Sequence, residues 1–269
     1  MAEEHRDPGK SDPYITTYVQ AQRQRLTTTT MPAPYPLLDM PPGDFKNMFD
    51  YQSINMAAAH NAFIQGINAM VFHAPTVAGD KVEPFIVFSL AVVDSIHHHH
   101  DLEETFYFPE LEKKLGKGAL APSVEQHHGF VPQLVQLKEH LENIKAGKET
   151  YDGRLLVEKI HSFSDLMIEH LNEEIPALES SRMRAVFTEK ELKDMDSAFM
   201  KLALAKIDFN TTLPLSVVCG NPATPWFPPF PTPLKWATRW WFSRKYSAAW
   251  EFGPLDLAGN PRVANTASL

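Results

Sequence analysis

Four stretches between about Phe45 and Ser180 repeat apolar residues at three- and four-residue intervals, and in each a histidine stands in the apolar line. That spacing marks one face of an α-helix. In the first, from about Phe45 to Phe72, the line runs Met56, His60, Phe63, Ile67, Met70. The second starts near Val82, with Pro84 tolerated in its first turn, and ends at Gly116; Phe85, Phe88, Val92, Ile96, His99, Glu103 and Phe106 share its face. The third is expected to open at Ser123, with Gln126 at capping-box distance, and to end before Gly147. Its line is His127, Phe130, Leu134, Leu137, Leu141, Ile144. The fourth opens at Asp152 and stops near Pro176 to Ser180, with Leu156, Ile160, Phe163, Met167, His170 and Glu174 on one side. Long amphipathic helices joined by short connections predict an all-α, antiparallel up-down four-helix bundle.

Such a bundle turns four imidazoles and two carboxylates toward its axis. A lone histidine on an apolar face is usually a satisfied core residue, and a lone His-x-x-x-Glu pair is usually an exposed helix face. The coincidence of all six is harder to satisfy. An unpaired buried carboxylate costs several kcal/mol, so it needs a cation or a proton. Carboxylates can bridge two hard cations and neutral imidazoles can complete their coordination, so a dinuclear metal centre answers the whole set. Periodicity leaves one choice open, because Val93, Ile96, His100, Glu104, Tyr107 and Leu111 form a rival line to that of His99 and Glu103. His98, His128, His140 and His161 read as surface residues or as groups that orient a ligand. Pro132, one turn after His128, predicts a local bend.

Around this bundle the chain changes character. Residues 1–44, ending in MPAPYPLLDMPPG, read as an extended arm, and 45–180 as the bundle. Residues 181–269 read as one extra helix, capped by Thr188 and Glu191 and running to about Lys206, followed by a Pro/Trp-rich extension packed on the bundle. One short helix is expected in it near Leu234–Tyr246. Its five tryptophans read as plain packing, with a pocket-shaping role as the alternative; the basic, aromatic KWATRWWFSRKY reads as a lid rather than a membrane-surface segment. A formal net charge of -8 argues against a nucleic-acid partner. Cys219 is the sole cysteine, which excludes an intrachain disulfide and a thiolate cluster. The charged amino terminus lacks a secretory apolar region, and the longest apolar run, Phe85 to Ile96, is too short to span a bilayer. A cytoplasmic protein is the expectation.

Three of the histidine segments are also distinctive as motifs. HHHHDLEETFYFPEL resembles the second-helix motif of haemerythrin-like (HHE cation-binding) domains, and counting back from Phe108-Pro109 selects His99 and Glu103, with His100 and Glu104 as the alternative pair. EQHHGF resembles the third-helix motif and selects His127. EHLNEEIPAL resembles the fourth and selects His170 and Glu174, while His60 in AAAHNAF matches the first. The tail SAAWEFGPLDLAGNPR is similar to the extension of fungal members. The resemblance implies two iron ions as cofactor, with zinc or manganese as alternatives, and oxygen, peroxide or nitric oxide as partners. In oxygen-carrying members a second histidine follows four residues after the third-helix one; here Val131 stands in that place. The fourth-helix motif of those members ends in Asp after four intervening residues, whereas Glu174 follows His170 after three. The lost imidazole implies an open site suited to oxygen or peroxide activation by an oxidoreductase acting on an unidentified small molecule, or alternatively to iron, oxygen or nitric oxide sensing without turnover.

Overall fold

The computed structural model describes Tyr35 to Arg262, which pack as one unit. The amino-terminal arm expected over residues 1–44 lies mostly outside the described residues. Its described end is a strap on the first helix, α1 (Met48–His73). Asn61 and Asn68, seven residues apart on α1, each pair with strap backbone: Asn68 with Tyr35 at 2.7 and 2.8 Å, and Asn61 with Leu38 at 2.7 and 3.1 Å.

The second helix, α2 (Val82–Leu102), begins with Pro84 in its first turn. It passes through a π-helical turn, Glu103–Tyr107, into α3 (Phe108–Leu115), and ends at Gly116 with φ 101°. There Gly supplies the positive φ that other residues resist. α4 (Ala121–Lys145) does not start with the capping box expected at Ser123. Leu120 holds the cap position without a side-chain bond and Pro122 sits in the first turn, where its missing N–H costs nothing. Pro132 lies within α4, which continues through it.

The fourth expected helix is broken. α5 (Gly153–His161), capped by Asp152, is followed by α6 (Ser164–Glu173) and a 3-10 turn, Ile175–Leu178. Phe163, with φ -133° and ψ -22°, makes the break. The strap reaches it: the Tyr35 hydroxyl lies 2.6 Å from buried Ser164 Oγ and donates to Asp165 at 2.8 Å. Apolar periodicity runs through this point unchanged, so only the tertiary contact marks it.

α7 (Ser180–Val186), absent from the sequence expectation, precedes α8 (Glu189–Ala205), whose Thr188–Glu191 capping box is present as expected. α9 (Thr212–Val218), also unexpected, α10 (Thr232–Trp240) and a 3-10 segment, Phe242–Phe252, complete an all-α architecture. Among the described residues there is no strand, only a bridge between Leu255 and Pro261. No helix there is long and apolar enough to cross a membrane.

The core consists of two apolar clusters. The larger includes Ile64, Ile96, Phe130 and Met167; the smaller includes Met56, Tyr107, Leu120 and Leu178. Along α1 the chain passes from the small cluster to the large, along α2 from large to small, along α4 back again, and along α6 from large to small. That alternation is the antiparallel up-down order. On all four helices the histidines fall between the clusters. Gly66 lets α1 and α2 approach closely, since a Cβ there would meet Val92 at 2.9 Å. The tryptophans do not pack as expected: Trp250 is buried, but Trp236, Trp240 and Trp241 are exposed (67%, 57% and 70%) because α10 buries only Thr238.

Candidate metal centre

Five imidazoles, rather than the four expected, and two carboxylates meet in the layer between the clusters. His60, His100, His127, His170, Glu103 and Glu174 are buried, and His99 is nearly so. They form two groups able to hold a cation. His100, Glu103, His127 and His170 offer atoms within 4.8 Å of one another, and so do His60, His99 and Glu103. Glu103 belongs to both. Its Oε1 lies 2.8 Å from His99 Nε2 and its Oε2 3.6 Å from His127 Nε2. Glu174 also spans the groups, with Oε2 3.4 Å from His60 Nε2 and 3.7 Å from His170 Nε2.

The choice between His99 and His100 dissolves in this geometry. Adjacent residues on an α-helix point about 100° apart. The π turn directly below widens the helix, and both imidazoles face the interior layer on either side of Glu103. In number, the imidazole absent at Val131 of α4 is made up by a second one from α2. Periodicity could not reveal this, because a π turn leaves no repeat of its own. Glu104 enters neither group; its Oε1 accepts a hydrogen bond from His127 Nδ1 at 2.7 Å.

The other outer nitrogens are held in the same way. His60 Nδ1 donates to the Leu171 carbonyl (2.8 Å), His100 Nδ1 to the Ile96 carbonyl (2.8 Å) and His170 Nδ1 to Gln126 Oε1 (3.0 Å). With Nδ1 protonated, a neutral imidazole presents a bare lone pair at Nε2. His127 Nε2 and His170 Nε2 then face each other at 3.0 Å, two acceptors with no proton between them. His100 Nε2 and both oxygens of Glu103 and of Glu174 are buried without a hydrogen-bond partner. Such atoms are costly unless a cation joins them. The donor set therefore fits a pair of metal ions.

Electrostatics agree. Burial pushes His60 and His100 well below the usual imidazole range and takes His99 to about 3 and His170 to about 2. Burial also lowers His127, with Glu104 opposing. Glu103 is raised by burial and then by Glu104, and Glu174 by burial and then by Glu103. Neutral imidazoles beside carboxyls that resist ionisation form a site waiting for positive charge.

The remaining histidines divide. His128 is exposed. His98 Nε2 donates to the Ala203 carbonyl (3.1 Å), and buried His140 donates from Nδ1 to Glu149 (2.6 Å), far from both groups. His161 meets the Tyr35 hydroxyl at 3.1 Å.

An antiparallel helical bundle with two His/Glu groups sharing a carboxylate defines a cation-binding bundle. Residues 55–175 match the model of the Hemerythrin HHE cation binding domain. It is also 28% identical, over 260 residues, to the dimeric xanthone biosynthesis cluster protein R11 of Cryptosporiopsis sp. (strain 8999). That likeness covers 88% of this chain and 94% of the relative, and so extends beyond the domain into the carboxy-terminal extension. No solved structure matches the chain.

Proposed function

We propose that the protein is a non-haem di-iron oxidoreductase that uses oxygen or peroxide to oxidise a small organic molecule. The observation that carries this reading is the shared Glu103, whose two unpartnered oxygens face different imidazole groups. His100, His127 and His170 would hold one ion and His60 and His99 the other, with Glu103 and Glu174 between them. When bound, iron supplies electrons and open coordination positions for the reduction of oxygen or peroxide.

The chain's own residues supply the rest. Leu171, Ile96, Glu104 and Gln126 fix imidazole orientation through Nδ1, which keeps each Nε2 lone pair directed inward. The apolar clusters above and below exclude water from the layer. The two groups are unequal: the His60–His99 group has fewer protein ligands, and so more room for an exogenous molecule. The relative's name assigns it to a biosynthetic cluster, which supports an organic substrate over simple carriage or sensing.

The test is metal quantification after mild purification, joined to an optical spectrum in air. Two irons per chain with near-ultraviolet oxo-bridge absorption are expected. Zinc alone at full occupancy, or no consumption of oxygen or peroxide beyond that of free iron with any organic reductant, would refute the reading.

A further inference from the structure

A cavity of about 590 Å³ lies outside the bundle axis, walled by α1, α2, α8, α9 and the Phe227–Phe230 segment. His99 is part of its wall. His99 is also the one metal-facing side chain with appreciable exposure, 11% against 0% for His60, His127, Glu103 and Glu174. The cavity therefore meets the centre at its less crowded group.

The wall chemistry restricts what enters. Phe63, Phe199, Phe227 and Phe230 contribute rings, and Phe63 already stands edge-on to His99 at 4.9 Å and 60°. Ring walls of this kind favour a flat aromatic guest through offset and edge contacts. The wall cations are matched by acids: Lys138 lies 2.7 Å from Asp94, and Lys206 lies 3.7 Å from Asp101. That pairing disfavours an anionic guest. A volume of this size suits a molecule of two or three fused rings. Asn55 lines both this cavity and a smaller one of about 70 Å³ that His99 also borders. Its Oδ1 is buried without a hydrogen-bond partner, a vacant acceptor beside the centre. A turn of the Asn55 side chain would bring this acceptor to the cavity, where a hydroxyl on the guest would satisfy it.

We infer that this cavity is the substrate site, and that it takes an uncharged, hydroxylated fused-ring aromatic whose hydroxyl donates to Asn55 Oδ1 near His99. The inference rests on the oxidoreductase reading but deepens it. Most of the outer wall, from Phe199 to Phe230, lies beyond the 55–175 family match, so the extension is what shapes selectivity.

The experiment is titration of the purified, metal-loaded protein with 2-naphthol, naphthalene and naphthalene-2-sulfonate, followed by calorimetry. One 2-naphthol per chain is expected, with about tenfold weaker binding of naphthalene for the lost hydrogen bond, and weaker binding still of the sulfonate. Ala203→Trp, which fills the cavity from α8, should abolish binding with metal content and helical signal unchanged. Ile207→Trp serves the same purpose should the first variant misfold. Asn55→Ala should make 2-naphthol and naphthalene bind alike. Wild-type affinity in the filled variants, or preference for the sulfonate, overturns the inference. Titration of zinc-loaded protein separates the two readings. Binding blocked by Ala203→Trp, without any turnover of the iron form, would keep the site and sink the oxidoreductase; turnover unaffected by the filling would do the reverse.

Discussion

The two halves of the centre differ in how the fold surrounds them. The group of His100, His127 and His170 draws on three helices and lies wholly inside, with Nδ1 of every imidazole held by a protein acceptor. The group of His60 and His99 draws on two, and His99 borders two cavities. One half is closed and the other borders open space, so in the proposed centre the first would retain an ion and the second admit a ligand. The lesson is that an asymmetric donor set would let the proposed centre combine tight metal binding with an open coordination position in one layer.

The sharpest way to break this contrast is Glu103→Ala, since Glu103 serves both halves. Metal content should fall from two ions per chain toward none. With metal at about 100 times Kd, binding stabilises by about 2.7 kcal/mol, so the loss should lower Tm by about 5–10 °C, read by calorimetry. His99→Ala and His100→Ala come next and should part company. His99→Ala should leave one ion per chain in the closed half, whereas His100→Ala should weaken that half first; equal losses would erase the distinction. Glu104→Ala should lower metal affinity about 10–100-fold by freeing His127, read by competition with a chelator. Trp236→Ala, at an exposed side chain that enters neither half, should change stability by no more than about 0.5 kcal/mol.

Acidity sharpens the comparison further. In the metal-free protein five imidazoles have folded pKa values depressed below about 6.5, so they gain protons on unfolding and their stabilisation is lost as pH falls through that value. Glu103 and Glu174 are raised and act oppositely, stabilising the fold at low pH and less so as pH climbs through their folded values. The imidazoles outnumber the carboxyls, so the melting temperature of the apo form should fall between about pH 6.5 and 4.5. Metal uptake must displace the carboxyl protons, so affinity should rise with pH; a flat profile by titration calorimetry would contradict the assigned burial.

The bundle was legible because buried faces repeat. His60, His127, His170 and Glu174 sit where their apolar lines put them, and the Thr188–Glu191 box announced α8. The unreadable parts share a cause: each depends on something other than local period. The Phe163 break is met by Tyr35, which arrives from far away in the chain. α9 is short and runs into Cys219, with too few turns to show a face. His99 and His100 both face the layer just above a backbone irregularity that no period announces. The Pro/Trp-rich extension suggested an aromatic lid, yet three of its tryptophans face solvent, because composition does not say which side of α10 meets the bundle.

The π turn at Glu103–Tyr107 makes one long rod out of two pieces set at different rotations. Above it, the rod presents His99 and His100 to the layer between the clusters; below it, Phe108 and Leu111 join the small cluster. Each residue inserted or removed there would twist one piece against the other by about 100°. The rod's upper and lower halves are thus geared through a single surplus residue, and a shift at the foot of the bundle would be felt as a turn of His99 and His100.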